Sequence, residues 1–242
     1  MTTPRILATS GGIRPGKWTY WAPAPLMLEA IALSAHPGAA RLAYLGTAMG
    51  DRPDDGFNIT QAFAGTSTEV SVVSVMPHPN VADLREHLLA QDVIWVGGGS
   101  VAGLLALWRL HGLDVILREA WEAGVVLAGV SAGSICWHVG GPTDSFGPEL
   151  RGIDNALALL PYGNGVHYDA EEQRRPLLHS LVGDGTLPLS YATDNGVGLL
   201  YEGTEFVEAL SEREGAGAYR VERTADGSVV ETRIEPRVLP GA

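Results

Sequence analysis

The sequence predicts an α/β fold: a mostly parallel, doubly wound sheet flanked by helices, with a nucleophile elbow at a strand–helix turn and a β-rich C-terminal segment. Three observations predict it. Short apolar runs alternate with longer helical patterns, as in successive βα units. Glycine-rich turns close several of those runs, at Gly11-Gly12, Gly46, Gly97-Gly98-Gly99 and the Gly129–Gly133 segment. From about residue 187 onward, strand-like runs replace the helical ones.

Composition bounds the reading. A chain of 242 residues with 45% apolar content is long enough for one large α/β domain, so we expect 1–242 to be a single unit, with 187–242 its β-rich extension. Acidic residues number 28 against 16 basic, a net charge of −12, which argues against nucleic acid or an anionic membrane as main partner. The single cysteine, Cys136, excludes an internal disulfide and suits a reducing compartment. With no signal-like start and no long apolar span, the expected location is the cytoplasm.

The elements follow in order. Ile6 to Thr9 reads as the first strand, and residues 24–35 as a helix with Leu26, Ile31 and Leu33 apolar. Arg41 to Leu45 is the next strand, then a helical stretch at 59–63 and a strand at 70–75. A helix over 81–90 leads to the strand 92–96, which stops at the glycine triplet. Helices at 101–110 and 113–123 precede the strand that starts at Val125. The stretches Gly140-Gly141-Pro142, Gly147-Pro148 and Pro161 to Gly163 read as loop and turn. A helix over 171–182 follows, then strands at 197–201, 218–221 and 229–234, with Asp226-Gly227 as a hairpin turn. In an open parallel sheet, ligands bind beyond the carboxyl ends of the strands. Those ends carry the glycine-rich turns here.

The chemistry centres on Gly129-Val130-Ser131-Ala132-Gly133, a G-x-S-x-G pattern in which a serine is held at a sharp strand-to-helix turn. A serine attacks only with a base in reach and donors for the oxyanion. The N–H of Ala132 is one natural donor, and Gly98 or Gly99 would supply another. His167 is the candidate base, at the end of a short run beside Tyr168 and Asp169. His36, His87 and His179 lie in or beside helical patterns, His78 and His111 in loops, and His138 in the helix after the elbow. Asp144 and Glu149, in the loop between serine and histidine, are the candidates to orient the base; Asp154 and Asp169 fit less well. No metal site is indicated, since no H-E-x-x-H or cysteine pair is present, and no cofactor motif occurs. Cys136 reads as a small buried apolar residue.

Taken together, Gly129 to Ser134, Gly97-Gly98-Gly99, Pro161 and His167-Tyr168-Asp169 resemble the peptidase E group of serine peptidases (family S51), which includes cyanophycinase. The likeness runs from the first strand to about residue 200. It implies a class I glutamine amidotransferase-like fold with no cofactor, Ser131 as nucleophile, His167 as base and Gly98 in the oxyanion hole. The third catalytic member it implies is Asp144, following peptidase E, or Glu149, following the cyanophycinase branch. One departure concerns the substrate. Enzymes of the group that cleave Asp-X dipeptides carry an arginine shortly after the histidine, and Glu171 stands at that place here. A carboxylate there would repel an acidic substrate unless Arg174 or Arg175 reached in. The expected activity is hydrolysis of short peptides through an acyl-enzyme. The alternatives are a cyanophycinase-like amide hydrolase and a non-catalytic binding protein on the same scaffold. A peptide substrate is the expected partner, with a homo-oligomer open.

Overall fold

The computed structural model describes residues 3–241. Its N-terminal part contains β1 (Arg5–Thr9), a hairpin of β2 (Ile13–Pro15) and β3 (Trp21–Pro23), and α1 (Pro25–Ala32). Then come β4 (Arg41–Leu45), α2 (Pro53–Ala62), β5 (Glu69–Val73), α3 (Leu84–Leu89) and β6 (Val93–Val96). The helices α4 (Val101–His111) and α5 (Leu113–Glu122) lead to β7 (Val126–Val130) and the one-turn α6 (Ala132–Ile135). Beyond them lie β8 (Gly141–Thr143), β9 (Arg151–Ile153), β10 (Gly163–Gly165) and α7 (Arg174–Gly183). The C-terminal part is strands: β11 (Ser190–Thr193), β12 (Val197–Glu202), β13 (Glu205–Ser211), β14 (Ala218–Arg223), β15 (Val229–Ile234) and β16 (Arg237–Val238).

The main sheet has the order β16-β13-β12-β1-β7-β6-β4-β5. Strands β1, β7, β6, β4 and β5 are mutually parallel, while β12 runs antiparallel to β1 and to β13. Alternate residues of each strand face opposite layers, as the pleat requires. Ile94 and Val96 meet Leu104, Trp108 and Leu117 of α4 and α5 on one face. Val93 and Trp95 meet Leu26 and Ile31 of α1 and Ile59 of α2 on the other. This is the doubly wound arrangement, with the C-terminal strands extending one edge. A second sheet, β10-β11-β14-β15, packs against α7 through Tyr168, Leu178, Val182 and Tyr219.

Some expected bounds move for physical reasons. The helix expected at 59–63 starts at Pro53, where a proline at the first helical position costs no hydrogen bond. The helix expected from 171 begins at Arg174. Two stretches read as loop or turn are strands instead, Gly141–Thr143 and Gly163–Gly165. Their glycines permit close approach: a methyl on Gly141 would lie 1.9 Å from the Asn164 carbonyl oxygen. The β2–β3 hairpin is a further element, too short to show alternation in the sequence.

Candidate active site

Register brings the strand ends level. Thr9 pairs with Val130, Gly129 with Val96, and Val96 with Leu45. Ser10, Ser131, Gly97 and Gly46 therefore emerge in a row from the carboxyl edge of four parallel strands. That edge is where an α/β sheet opens its crevice.

Ser131 turns β7 into α6 with φ 58° and ψ −111°, a strained conformation for a residue with a side chain. Its N–H donates to the Thr9 carbonyl at 3.0 Å, and its own carbonyl accepts from Ser134 at 2.8 Å and Ile135 at 3.0 Å. The flanking glycines make the turn possible. A methyl on Gly133 would stand 2.3 Å from the Val96 carbonyl oxygen, and one on Gly129 2.6 Å from that of Gly133. Strand, helix and neighbouring strand meet there with no room for a side chain.

Gly98 lies over the serine, since a methyl on it would be 3.3 Å from Ser131 Cβ and 3.9 Å from its Oγ. Gly97 donates to Leu45 and Ser100 to Ala48. Among the described residues, the N–H groups of Gly98, Gly99 and Ala132 donate to no carbonyl. Gly99 has φ +127°, and a methyl on it would strike the Ala48 carbonyl oxygen at 2.4 Å.

His167 reaches the same edge from the second sheet. It follows β10 by two residues, and Asn195 follows β11 by two. Because β10 and β11 are parallel, with Gly165 opposite Ala192, both residues leave the sheet at one end. The His167 Nδ1 and Asn195 Oδ1 atoms are 2.5 Å apart. An amide oxygen only accepts, so Nδ1 carries a proton, and in the neutral ring the lone pair sits on Nε2. The Ser10 hydroxyl ties the two sheets together: it accepts from the His167 N–H at 3.2 Å and lies 2.7 Å from the Thr193 hydroxyl. Asn195 is held in turn, its N–H donating to Asp169 at 2.8 Å, while Asp169 pairs with Arg213. Burial alone would raise the Asp169 pKa. The bonds from Asn195 and Arg213 outweigh it and hold the carboxyl below its ordinary range.

Other sequence-derived candidates fall elsewhere. Asp144 is exposed in the β8–β9 connection, and Glu149 is exposed in the same connection; neither hydrogen-bonds to His167. The histidine's carboxamide partner, Asn195, lies 28 residues beyond it in the sequence. The signal for it was local and faint: an Asn-Gly turn directly after a strand. Arg174 is 2% exposed and turned inward, donating to Glu171 at 2.8 Å and to the Pro142 carbonyl at 2.6 Å. Arg175 pairs with Glu231 and lies against the rings of Tyr168 and Tyr219, at 4.6 and 4.7 Å. Both arginines thus serve internal contacts. His138 is buried, bonded to the Ser134 carbonyl and near the Tyr201 hydroxyl, and Cys136 is buried with its thiol pKa pushed up by burial. Among the described residues no cluster of three or more His, Cys, Asp or Glu is placed to hold a metal. No helix among them is long and apolar enough to cross a membrane.

A cleft of about 710 Å³ is lined in part by Val130, which precedes the serine, and by Gly97 and Gly98, the latter lying over it. Trp21, Tyr44 and Phe57 form walls, and Arg52, Asp54 and Asp55 supply charge.

The model of peptidase family S51 matches residues 9–209. The chain is 42% identical over 181 residues to the peptidase YgaJ of Bacillus subtilis (strain 168), covering 75% of this chain and 77% of that protein. It is 28% identical over 166 residues to Peptidase E of Shewanella denitrificans, covering 65% and 68% respectively. Among solved structures, a peptidase from an acI-B1 actinobacterium superposes with a TM-score of 0.66 at 15% identity, over 97% of this chain and 95% of that one. A Listeria monocytogenes EGD-e protein named for peptidase E gives 0.57 at 15% identity, over 97% and 100%. At that identity the two structures speak for the fold alone.

Proposed function

The chain belongs to peptidase family S51 and is a hydrolase of peptide bonds, and from that premise we propose that it cleaves short peptides through a serine acyl-enzyme. In this reading Ser131 is the nucleophile, His167 the general base and Asn195 the group that orients the base. The observation that carries it is the elbow itself. A serine in a strained positive-φ turn faces undonated backbone N–H groups, and a histidine is locked in one tautomer on the adjoining loop.

The chemistry follows from those positions. A substrate carbonyl seats its oxygen toward the N–H groups of Gly98 and Ala132, with Gly99 alongside. His167 Nε2 takes the Ser131 proton as Oγ attacks the carbonyl carbon. The tetrahedral oxyanion is stabilised by the fixed backbone dipoles, which need no reorganisation as charge develops. The imidazolium then gives its proton to the leaving amine, and the C–N bond breaks to leave an ester on Ser131. A water, deprotonated by His167, attacks the ester and releases the acid product. A neutral amide suffices as orienting group, as in Cys-His-Asn peptidases. Among the described residues the Ser131 and His167 side chains share no hydrogen bond, and the proposed proton transfer requires that they meet in the substrate complex.

Glu171 borders this loop and both nearby arginines are engaged, so an aspartyl first residue gains no cation from Arg174 or Arg175. We therefore propose that Asp-X dipeptides are not preferred. Ser131→Ala should abolish turnover of a peptide library, and a fluorophosphonate probe should label native protein at Ser131. Undiminished cleavage by the variant would sink the assignment.

A further inference from the structure

We propose that the cleft beside Ser131 is a specificity site for a cationic side chain, so that the preferred peptides carry lysine or arginine next to the scissile bond. The inference rests on the peptidase reading above and adds the substrate class.

Asp55 is 9% exposed and Tyr44 4% exposed, yet both line the cleft. Neither the Asp55 carboxylate nor the Tyr44 hydroxyl has a hydrogen-bond partner among the described residues. The body of each side chain is packed into the wall while its oxygens stay open to the cleft, where a cationic ligand can pair the carboxylate through a charge-assisted hydrogen bond. Asp55 sits in the first turn of α2, where a carboxylate favours the helix dipole. Here that turn also lines the cleft, so the carboxylate is presented to it. Burial first, and then the charges of Asp55 and Asp51, push the Tyr44 pKa up, so the phenol stays a neutral donor close to Asp55.

The lining of the cleft selects the ligand class. Gly98 touches Ser131, and a methyl on Gly97 would lie 2.7 Å from the Tyr44 hydroxyl. Asp55 lines the same cleft, and its charge acts on that phenol. A lysine or arginine side chain would lay its methylenes along Trp21 and Phe57 while its charge met Asp55. Aromatic faces favour cations as well as alkyl stems. Arg52 adds one positive charge against Asp54 and Asp55, so the lining stays net negative.

Calorimetry on the Ser131→Ala protein, which holds peptides uncleaved, tests the site separately from turnover. Arginyl peptides, with arginine on either side of the scissile bond in turn, should bind at least about tenfold tighter than their citrulline counterparts at one of the two positions, the increment of one charged hydrogen bond. Adding Asp55→Asn should bring that ratio close to one. Equal binding of the arginine and citrulline peptides would overturn the site, as would a ratio unaltered by Asp55→Asn. Absence of turnover by the native protein on every peptide would instead overturn the peptidase reading and leave the binding ratio to decide the site.

Discussion

Replacing Asn195 is the sharpest test of how His167, the proposed base, is held. The 2.5 Å contact to His167 Nδ1 is the only hydrogen bond from the imidazole among the described residues. In Asn195→Ala the ring loses its fixed tautomer and its orientation. A hydrogen bond to a group that becomes charged in the reaction contributes about 1.5–3 kcal/mol. At about 1.4 kcal/mol per decade, kcat/KM should fall by about 10- to 100-fold. Asn195→Asp tests the same contact by charge. A carboxylate beside the imidazole favours its protonated form, so the acid limb of the kcat/KM–pH profile should move to higher pH, by about one unit or more. Activity at high pH should survive, because Asp also accepts from Nδ1. The assay is kcat/KM from pH 5 to 9 for the three proteins, with thermal melts to show that each is folded. Full activity and an unmoved profile in Asn195→Ala would refute the role. So would an acid limb that stays in place in Asn195→Asp.

Three further outcomes follow from the geometry. Gly98→Ala should fold, as its methyl's nearest contact is 3.3 Å from Ser131 Cβ, yet lose about tenfold or more in kcat/KM by crowding the oxyanion position; melting and rate measured together separate the two effects. Gly133→Ala should destabilise by about 1–3 kcal/mol in urea unfolding, because its methyl meets rigid Val96 backbone at 2.3 Å. Burial lowers the His138 pKa from 6.5 to about 4, partly offset by its bond to the Ser134 carbonyl. A folded value below the unfolded one means the denatured chain takes up the proton first. Stability should therefore drop as pH falls from 6.5 to 4, by about 3 kcal/mol in all, and then level off. His138→Gln should flatten that part of the urea-midpoint profile; an equal slope in both proteins would count against the buried neutral imidazole.

The chain pattern by itself determined the parallel βα architecture and the elbow. Both are written in local sequence. A buried parallel strand is a short apolar run, and a strand-to-helix turn without room for a methyl demands glycine, as Gly129 and Gly133 show. Because register is level across the parallel strands, knowing where each run ends was enough to gather Ser131 and Gly98 at one edge. Tertiary structure alone decided the partner of His167. Asp144 and Glu149 stand between serine and histidine in the sequence, but Asn195 meets the ring because β10 and β11 run parallel and release both residues together. It also decided that Arg174 is buried against Glu171 and Pro142, and that Asp55 faces a cleft walled by a hairpin from another part of the chain. Hydrogen-bond partnership and enclosure depend on which segments the sheets bring side by side, and no single run of residues encodes that.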